Sequence, residues 1–342
     1  MAGTNRMAKL AERPFGMVKR ENFSIEEGPL PEPGDGEFRV KVEYVSIDPA
    51  MRPWMNDGPS YVPPVAIGEV MRALASGTVD ASNHPDYTEG DAVSGLFGVQ
   101  QYAISNGQGV AKLDTSLASL ERWIGGLGMP GTTAYFGLLE IGQPKEGETV
   151  VVSAASGAVG GIVGQIAKIK GCRAVGIAGG PQKCAYLTDE LGFDAAIDHR
   201  AAGDEKAMAA ALKEACPKGI DVYFDNVGGY TLDAVLTRIN LHARIAICGM
   251  ISEYNETEPA LAPRPTRALL VNRARMQGLI VFDWIARYQE GRTQMAAWIK
   301  DGRIKYREDV MEGIENMPAA MLRLFSGKNF GKQLVKVGDD PA

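Results

Sequence analysis

The sequence predicts an α/β protein with two domains, one built on antiparallel strands and one on a doubly wound parallel sheet. Short alternating strands, broken by Pro and Gly, occupy the first 125 residues. After residue 145, short apolar runs alternate with segments of helical periodicity, which is the pattern of a parallel sheet covered by helices. The 342 residues are enough for two domains of ordinary size.

The first part of the chain contains three stretches with strand character. Residues 38–47 alternate apolar and polar side chains, as a half-buried strand does. Residues 68–82 resemble a hairpin or barrel strand, and residues 90–105 resemble two more short strands. We therefore expect an antiparallel, barrel-like domain whose long loops carry function.

The second part has the rhythm of a doubly wound sheet. Segments that read as strands are 148–154, 172–179, 193–198, 220–227, 243–250 and 275–282. Segments that read as helices are 158–171, 181–192, 205–216, 230–240 and 287–302. The tail, residues 325–337, returns to strand character, and we expect it to rejoin the first domain.

Charge and composition exclude several classes of protein. Lys and Arg number 36 and Asp and Glu 42, a net charge of −6, and no Lys/Arg block is present. We therefore expect no binding to nucleic acid or to an anionic membrane. No apolar run approaches the ~20 residues that span a bilayer, and the first residues lack an apolar stretch of signal-peptide length. These features predict a cytoplasmic protein.

The sequence does not supply a metal site or an activated nucleophile. The four cysteines form no CxxC pair, and we interpret them as buried apolar side chains: Cys172, Cys184, Cys216 and Cys248. The histidines stand apart, at His84, His199 and His242, whereas catalytic zinc needs three converging ligands. No GxSxG elbow is present, and Ser156 reads as part of a turn.

A glycine-rich segment between a predicted strand and a predicted helix is the strongest local motif. It reads Ala154-Ala155-Ser156-Gly157-Ala158-Val159-Gly160-Gly161. Gly157 lets the backbone approach a pyrophosphate, and Gly160 and Gly161 let the helix pack on the strand. The helix N-terminus near Ala158 offers N–H groups to phosphate. The pattern is AxxGxxG instead of GxGxxG, so a plain glycine-rich turn is the alternative.

The end of the second predicted strand indicates which dinucleotide would bind. NAD-binding units usually place Asp or Glu there to hold the ribose 2′-hydroxyl. Here Ala178, Gly179 and Gly180 occupy that place and Lys183 follows. Glycines admit a 2′-phosphate and a lysine neutralises it, which favours NADP over NAD. The alternative is that Lys183 is an ordinary solvated lysine.

A third strand ends in Asp225-Asn226-Val227-Gly228-Gly229. Residues at the carboxyl ends of parallel strands face the ligand crevice, so Asn226 is a candidate to bond a ribose or an amide. An ordinary Asn-Val-Gly-Gly turn fits the same residues.

Many motifs, in one order over roughly residues 15–337, resemble the zinc-independent medium-chain dehydrogenase/reductase family, in the branch of prostaglandin reductases, curcumin reductases and alkenal double-bond reductases. They include SIDPAMR (46–52), SYVPPVAIGEVMRA (60–73), GMPGTTAYFGL (128–138), DVYFDNVGG (221–229), CGMISEYN (248–255) and GKNFGK (327–332). The resemblance implies an NADPH-dependent, metal-free reductase of the carbon–carbon double bond in α,β-unsaturated ketones and aldehydes. It also implies a homodimer.

The resemblance implies a fold in which a Rossmann domain interrupts a GroES-like β-barrel catalytic domain. The expected divisions are 1–125 for the N-terminal part of the catalytic domain, 126–305 for the NADP-binding domain and 306–342 for the return to the catalytic domain. Ser46 and Gly68 stand where zinc-dependent relatives keep metal ligands.

The resemblance also assigns roles to single residues. It implies that Lys183 binds the adenosine 2′-phosphate and that the cofactor is lined by Ala154, Gly157, Ala158, Val159, Gly160, Gly179, Asn226, Cys248, Gly249, Met250, Ser252, Tyr254 and Asn329. His199 stands where the family often has Tyr, near the adenosine phosphate. Tyr61 and Tyr254 match tyrosines that flank substrate.

A mechanism follows from this chemistry. Hydride from NADPH goes to the β-carbon of the enone, and the developing enolate oxygen needs hydrogen-bond donors. The cofactor's ribose hydroxyl is the expected main donor, with Tyr254 or Tyr61 as the protein candidates. Packing roles for both tyrosines stay open. Water or a tyrosine then protonates the α-carbon.

Some alternatives stay open at this point. The Pro- and Arg-rich residues 258–276 are a candidate lid or a solvated basic loop, with Arg264 and Arg267 either facing substrate or solvent. The rival activities are quinone reduction and alcohol oxidation on the same fold. A further rival is an NADPH-binding sensor without turnover.

Overall fold

The structure is a computed structural model that describes residues 3–259 and 261–338. The chain forms two compact units. The first comprises Met1–Gly125 with Glu308–Ala342, and the second comprises Gly126–Arg307. The second boundary lies two residues beyond the division expected at 305.

The N-terminal part of the first unit is antiparallel. Strands β1 (Thr4–Leu10) and β2 (Phe23–Pro29) pair with each other. A larger sheet contains β3 (Phe38–Ser46), β4 (Ala75–Ser82), β5 (Ala92–Gly95), β6 (Tyr102–Ser105) and β7 (Ala111–Lys112), with two short helices, α1 (Met51–Trp54) and α2 (Leu120–Ile124). The alternation in 38–47 does form a strand, β3, because Phe38, Val40 and Val42 point into the core and are fully buried.

The expected strand over 68–82 is wrong in its first half. Regular pairing begins only at Ala75, while residues 68–71 bond to the end of β1 through single contacts. The Leu10 N–H donates to the Glu69 carbonyl and the Met71 N–H to the Ala8 carbonyl, at 3.0 and 2.9 Å. Strands β1 and β2 themselves were not predicted.

The second unit is a six-stranded, all-parallel sheet with helices. In chain order its elements are α3 (Met129–Phe136), β8 (Thr149–Val152), α4 (Gly160–Ile169), β9 (Arg173–Ala178), α5 (Pro181–Ala185), β10 (Ala195–Asp198), α6 (His199–Ala202), α7 (Glu205–Ala215), β11 (Ile220–Asp225), α8 (Gly229–Leu236), β12 (Ile239–Ile247), α9 (Thr266–Asn272), β13 (Arg275–Gly278) and α10 (Tyr288–Lys300). The strand order is β10-β9-β8-β11-β12-β13. The order reverses between β8 and β11, and in doubly wound sheets ligands bind outside the strand ends at that point.

Three of the expected boundaries in this unit are corrected. Helix α5 ends at Ala185 and continues as a wider π turn over Tyr186–Glu190. Strand β13 ends at Gly278 and a 3₁₀ segment follows over Val281–Arg287. The segment 258–276 contains helix α9, so it is not loop throughout.

Close packing at α4 and at β9 explains part of the glycine content. A Cβ on Gly164 would lie 1.8 Å from the Phe193 ring, and one on Gly176 would lie 2.5 Å from Leu187. Any side chain at either position would force these elements apart.

The end of the chain completes the first unit. Strand β14 (Glu308–Glu312), helix α11 (Met317–Phe325) and strand β15 (Lys332–Lys336) follow one another. Strand β15 pairs antiparallel with β3, placing Leu334 opposite Ser46, and β14 lies parallel to β15. Only 332–336 of the expected strand segment 325–337 is a strand. No helix in the two described ranges is long and apolar enough to cross a membrane.

Candidate functional site

The glycine-rich loop after β8 has a shape that requires glycine at position 160. A Cβ on Gly160 would lie 2.5 Å from the carbonyl oxygen of Ala154 and 2.9 Å from the Cα of Ala155. Ala154 itself has a φ of +48°, which is uncommon for a residue with a side chain. Helix α4 begins at Gly160, two residues later than the sequence suggests. The N–H groups of Gly161, Ile162 and Val163 donate to the carbonyls of Gly157 and Val159, so the turn leads directly into the positive end of α4.

The other loop residues predicted to bind cofactor are half-buried. Gly157, Ala158 and Val159 follow Ala154 in the turn before α4, and the Gly157 N–H donates to the Ala154 carbonyl at 2.9 Å. The loop is therefore a tight turn that presents backbone N–H groups beside a helix N-terminus.

Basic side chains surround the end of β9. A Cβ on Gly179 would lie 2.9 Å from His199 Nε2 and 3.1 Å from Arg200 Nε. Lys183, in α5, is near enough to act on the charge of His199. The structure therefore brings Gly179, Lys183 and His199 together, and it adds Arg200, which the sequence reasoning missed. Arg200 directly follows His199 in the sequence, but this adjacency does not show that its side chain lies beside Gly179.

The electrostatics of this group favour an anion. Burial and the charges of Arg200 and Lys183 lower the pKa of His199, because a second or third positive charge is costly there. The neighbouring acid is Asp198, whose carboxylate accepts from the N–H groups of Gly180 and Arg200 at 2.8 and 2.9 Å. Burial acts to raise the pKa of Asp198, and these backbone donors outweigh it and lower the pKa.

A buried carboxyl group holds the end of β11. Asp225 has no exposed surface. Its Oδ1 accepts from Ser153 Oγ, Tyr223 Oη and the N–H groups of Val227 and Gly228 at 2.8–3.0 Å. Burial raises the pKa of Asp225 despite these donors.

Asn226 is fixed by the adjacent strand. Its Nδ2 donates to the Ser153 carbonyl and its N–H to Ser153 Oγ, both at 2.8 Å. The side-chain carbonyl of Asn226 is thus oriented at the carboxyl ends of β8 and β11.

Residues 248–254 pack against the same strand end. The N–H groups of Cys248 and Gly249 donate to the Asp225 carbonyl, and Ser252 donates through its N–H and Oγ to the Val227 carbonyl. Tyr254 Oη accepts from the Met250 N–H at 3.2 Å and would lie 3.3 Å from a Cβ on Gly249. Seven of the predicted cofactor residues therefore lie along the ends of β8, β11 and β12: Ala154, Asn226, Cys248, Gly249, Met250, Ser252 and Tyr254.

The first unit holds the second candidate tyrosine. Tyr61 lies in the loop after α1 with 48% of its surface exposed. Its Oη accepts from Trp54 Nε1 at 3.1 Å. Asn329, the predicted cofactor residue of this unit, is buried and donates from Nδ2 to the Gly331 carbonyl at 3.0 Å.

Ser46 and Gly68 occupy the expected positions of metal ligands. Ser46 is hydrogen-bonded to Asp48, and Gly68 has open space beside it. Ser46 Oγ donates to Asp48, and the buried Lys332 donates to Asp48 Oδ1 at 2.6 Å. Gly68 has a φ of +86° and nothing within 4 Å of a Cβ position. Within the described residues, no group of three or more His, Cys, Asp or Glu side chains could hold a metal ion.

All four cysteines are free thiols, two of them buried and two half-buried. Cys172 and Cys216 are buried, and burial raises the pKa of each to about 11. The expectation of burial is wrong for Cys184 and Cys248, which are only half-buried. The Cys248 thiol is nonetheless in a dry environment that raises its pKa to about 12.

The arginines of the candidate lid are exposed. Arg264 precedes α9 and Arg267 lies within its first turn. Whether either arginine faces substrate stays a prediction.

Fold and sites together define a class of oxidoreductase with a GroES-like unit and a Rossmann unit. Residues 6–113 match the family model described as the N-terminal domain of oxidoreductase, and residues 158–300 match the model described as zinc-binding dehydrogenase.

Proteins of similar sequence and structure indicate the branch of this class. The chain is 49% identical to the NADPH-dependent curcumin reductase of Escherichia coli K12, over 98% of both chains. It is 44% identical to the NADP⁺-dependent 2-alkenal reductase of Nicotiana tabacum, over 89% of this chain and 88% of that one. The crystal structure of CurA in complex with NADPH from Vibrio vulnificus superposes with a TM-score of 0.93 at 46% identity, over 98% of this chain and all of that one.

The chain therefore belongs to the medium-chain dehydrogenase/reductase family, in the branch of curcumin and alkenal reductases. The family, its branch and the fold class predicted from the sequence motifs are confirmed.

Proposed function

We propose that the protein is an NADPH-dependent reductase that delivers hydride to the β-carbon of α,β-unsaturated ketones and aldehydes without a metal. The observation that carries the proposal is the basic group around Gly179, where an NAD-specific site would place an acid. The activities named for the curcumin and alkenal reductases support the substrate class.

The residues present fit NADPH. The turn after β8 offers backbone N–H groups and the positive end of α4 to a pyrophosphate, and Gly160 keeps that turn close to the helix. Lys183 and Arg200 supply charge for a 2′-phosphate, and His199 supplies a ring N–H. Asn226 and the residues 248–254 would line the nicotinamide half, and Asn329 is a further contact implied by the resemblance.

When bound, NADPH supplies the hydride. As the β-carbon gains the hydride, the π electrons of the carbon–carbon double bond shift toward the carbonyl group. The substrate becomes an enolate, whose negative charge develops on the former carbonyl oxygen. Tyr254 and Tyr61 are the candidate donors to that oxygen, and both hydroxyls accept a hydrogen bond from an N–H group of their own unit. The α-carbon then takes a proton from water or from a tyrosine, which completes the saturated carbonyl product.

The donor set supports chemistry without zinc. Zinc sites in enzymes use Cys, His and carboxylate ligands. Here the carboxylate of Asp48 pairs with Lys332 of β15 and also accepts from Ser46 at the end of β3, so it is already engaged. Hydroxyl donors then replace a metal as the stabiliser of the enolate charge.

The test is NADPH oxidation followed by absorbance with enals, enones, quinones and alcohols, with NADH run in parallel. We expect rapid NADPH consumption with enones, a saturated carbonyl product and weak use of NADH. Preference for quinones, or alcohol oxidation by NADP⁺, would replace the proposed reaction. NADPH binding without turnover would favour a sensor.

We also propose a cytoplasmic homodimer. Strand β13 is the outer strand of the parallel sheet in the described residues, and the neighbouring Leu270 and Val271 are 77% and 56% exposed. A second copy of the chain would cover such an edge. The four free thiols agree with a reducing compartment.

A further inference from the structure

We propose that Trp54 is a positioning residue for Tyr61: its indole N–H holds the phenol so that the Tyr61 hydroxyl donates to the enolate oxygen of the substrate. This inference rests on the proposed function, because it deepens the role of Tyr61. None of the motif assignments gave Trp54 a role.

The direction of the hydrogen bond is fixed by chemistry. An indole N–H can only donate, so the Tyr61 oxygen accepts it over the 3.1 Å that separates it from Trp54 Nε1. The hydroxyl hydrogen of Tyr61 must then point away from the indole. The donor is 6% exposed and the acceptor 48% exposed, so a buried group orients a tyrosine at the surface of its unit.

The indole is itself held in place. The guanidinium of Arg72 lies 5.7 Å above the Trp54 ring, and Arg72 donates to the Pro63 carbonyl at 2.7 Å. The Val65 N–H donates to the Trp54 carbonyl at 2.8 Å. The loop that carries Tyr61 is thus tied to α1 and to Arg72 just beyond the tyrosine.

The arrangement also strengthens the hydroxyl as a donor. Hydrogen bonds in a chain polarise one another, so a phenol that accepts a hydrogen bond donates a stronger one. The positive charge above the indole draws electron density from the ring and adds to this effect. A phenol is protonated at neutral pH, so it acts on the enolate as a donor.

A double-mutant cycle tests the inference, with Trp54→Phe, Tyr61→Phe and the double variant assayed for kcat and KM on an enone. Trp54→Phe keeps an aromatic ring and removes the N–H. We expect kcat/KM to fall roughly 3- to 10-fold for Trp54→Phe, the loss expected for one hydrogen bond. We expect about 100-fold for Tyr61→Phe, the low end for an oxyanion donor.

The decisive result is the double variant. If Trp54 acts through the Tyr61 hydroxyl, Trp54→Phe changes nothing further once that hydroxyl is gone, and NADPH affinity stays the same throughout. Losses that multiply would show that Trp54 acts by packing and would overturn the inference. Trp123→Phe is the matched control, because it removes an indole N–H bond of the same 3.1 Å length in the same unit.

The cycle separates this inference from the proposed function. Enone reduction that is lowered by Tyr61→Phe but unchanged by Trp54→Phe overturns only the role of Trp54. Enone reduction unaffected by Tyr61→Phe overturns the roles of both residues while leaving the reductase intact. No enone reduction by the unaltered enzyme overturns the proposed function itself.

Discussion

The strand ends of the parallel sheet and the loop that carries Tyr61 hold their candidate residues by different means. At the strand ends, backbone groups of regular elements position Gly160, Asn226 and the 248–254 segment within a few residues of a β-strand. The Tyr61 loop has no regular structure, and nearby side chains hold it: Trp54 bonds Tyr61, and Arg72 bonds the Pro63 carbonyl. This difference teaches that the first site depends on the pairing of strands that are distant in the chain, whereas the second depends on side-chain bonds between residues close in sequence.

The largest effect is expected from a change to the backbone-built site. Gly160→Ala places a Cβ 2.5 Å from the Ala154 carbonyl oxygen, so the turn after β8 has to move. We expect overpacking to cost about 1–3 kcal/mol of unfolding free energy and NADPH binding to weaken severely, measured by denaturation and by titration. Gly278→Ala is the control, since a Cβ there meets nothing within 4 Å. Unchanged NADPH affinity in Gly160→Ala would show that this turn is not the pyrophosphate site.

The second-largest effect is expected from the removal of a positive charge at the end of β9. Removing a charged partner of a phosphate costs about 1.5–3 kcal/mol, so Lys183→Ala and Arg200→Ala should each weaken NADPH binding roughly 10- to 100-fold. NADH lacks the 2′-phosphate and should bind as before. Lys206→Ala, on the exposed face of α7, serves as the control. Equal losses of affinity for NADPH and NADH would show that Lys183 and Arg200 do not contact the 2′-phosphate.

A smaller effect is expected from a change at Arg52, whose side chain holds irregular segments of the first unit. The buried Arg52 donates from Nη2 to the carbonyls of Pro14 and Gly16 at 3.3 and 3.0 Å, and it also bonds Asn56. Burial lowers the pKa of this guanidinium. Arg52→Lys loses the planar fork, and we expect about 1–3 kcal/mol lower stability and a higher KM for the enone, with NADPH affinity retained.

Loss of NADPH affinity in Arg52→Lys, with KM for the enone unchanged, would contradict the assignment of this loop to the substrate side. Arg39 offers a control for the loss of a buried arginine fork, because it lies in β3 and pairs with Asp80 at 3.0 Å instead of reaching the Pro14–Gly16 segment.

The smallest effect is a pH dependence from His199, whose pKa in the protein is lowered by burial and by Arg200 and Lys183. Because the folded protein binds the proton less well than the unfolded chain, stability from this group is present above the unfolded pKa of 6.5 and is lost as pH falls below it. A bound 2′-phosphate favours the charged form, so NADPH affinity should rise as pH falls below that value, by less than about tenfold per pH unit. His199→Gln should abolish this rise and leave only the loss of affinity that protonation of the phosphate itself produces as pH falls. An identical pH profile in the variant would exclude His199 from the phosphate site.

The two regions also differ in how far the sequence predicted them. The glycine-rich turn, Gly179, Lys183 and Asn226 are predicted from the sequence because each follows a strand whose apolar run is visible, and their roles toward the cofactor stay predictions. Arg200 was missed, although it follows His199, because nothing local shows that α6 turns it toward Gly179. No motif marks Trp54, although Tyr61 is only 7 residues further along the chain, because nothing in an irregular segment shows which side chains meet.

The sequence by itself determined the alternation of strands and helices in the second unit and NADP as the cofactor, because these depend on residues close together in the chain. It also determined the family, through motifs spread over nearly its whole length. Only the tertiary structure decided that Arg200 lies beside Gly179, that Asp225 is enclosed by four donors, and that Lys332 reaches Asp48 from the far end of the chain. These contacts are formed when strands distant in sequence pair, and the register of that pairing is set by packing of the whole unit.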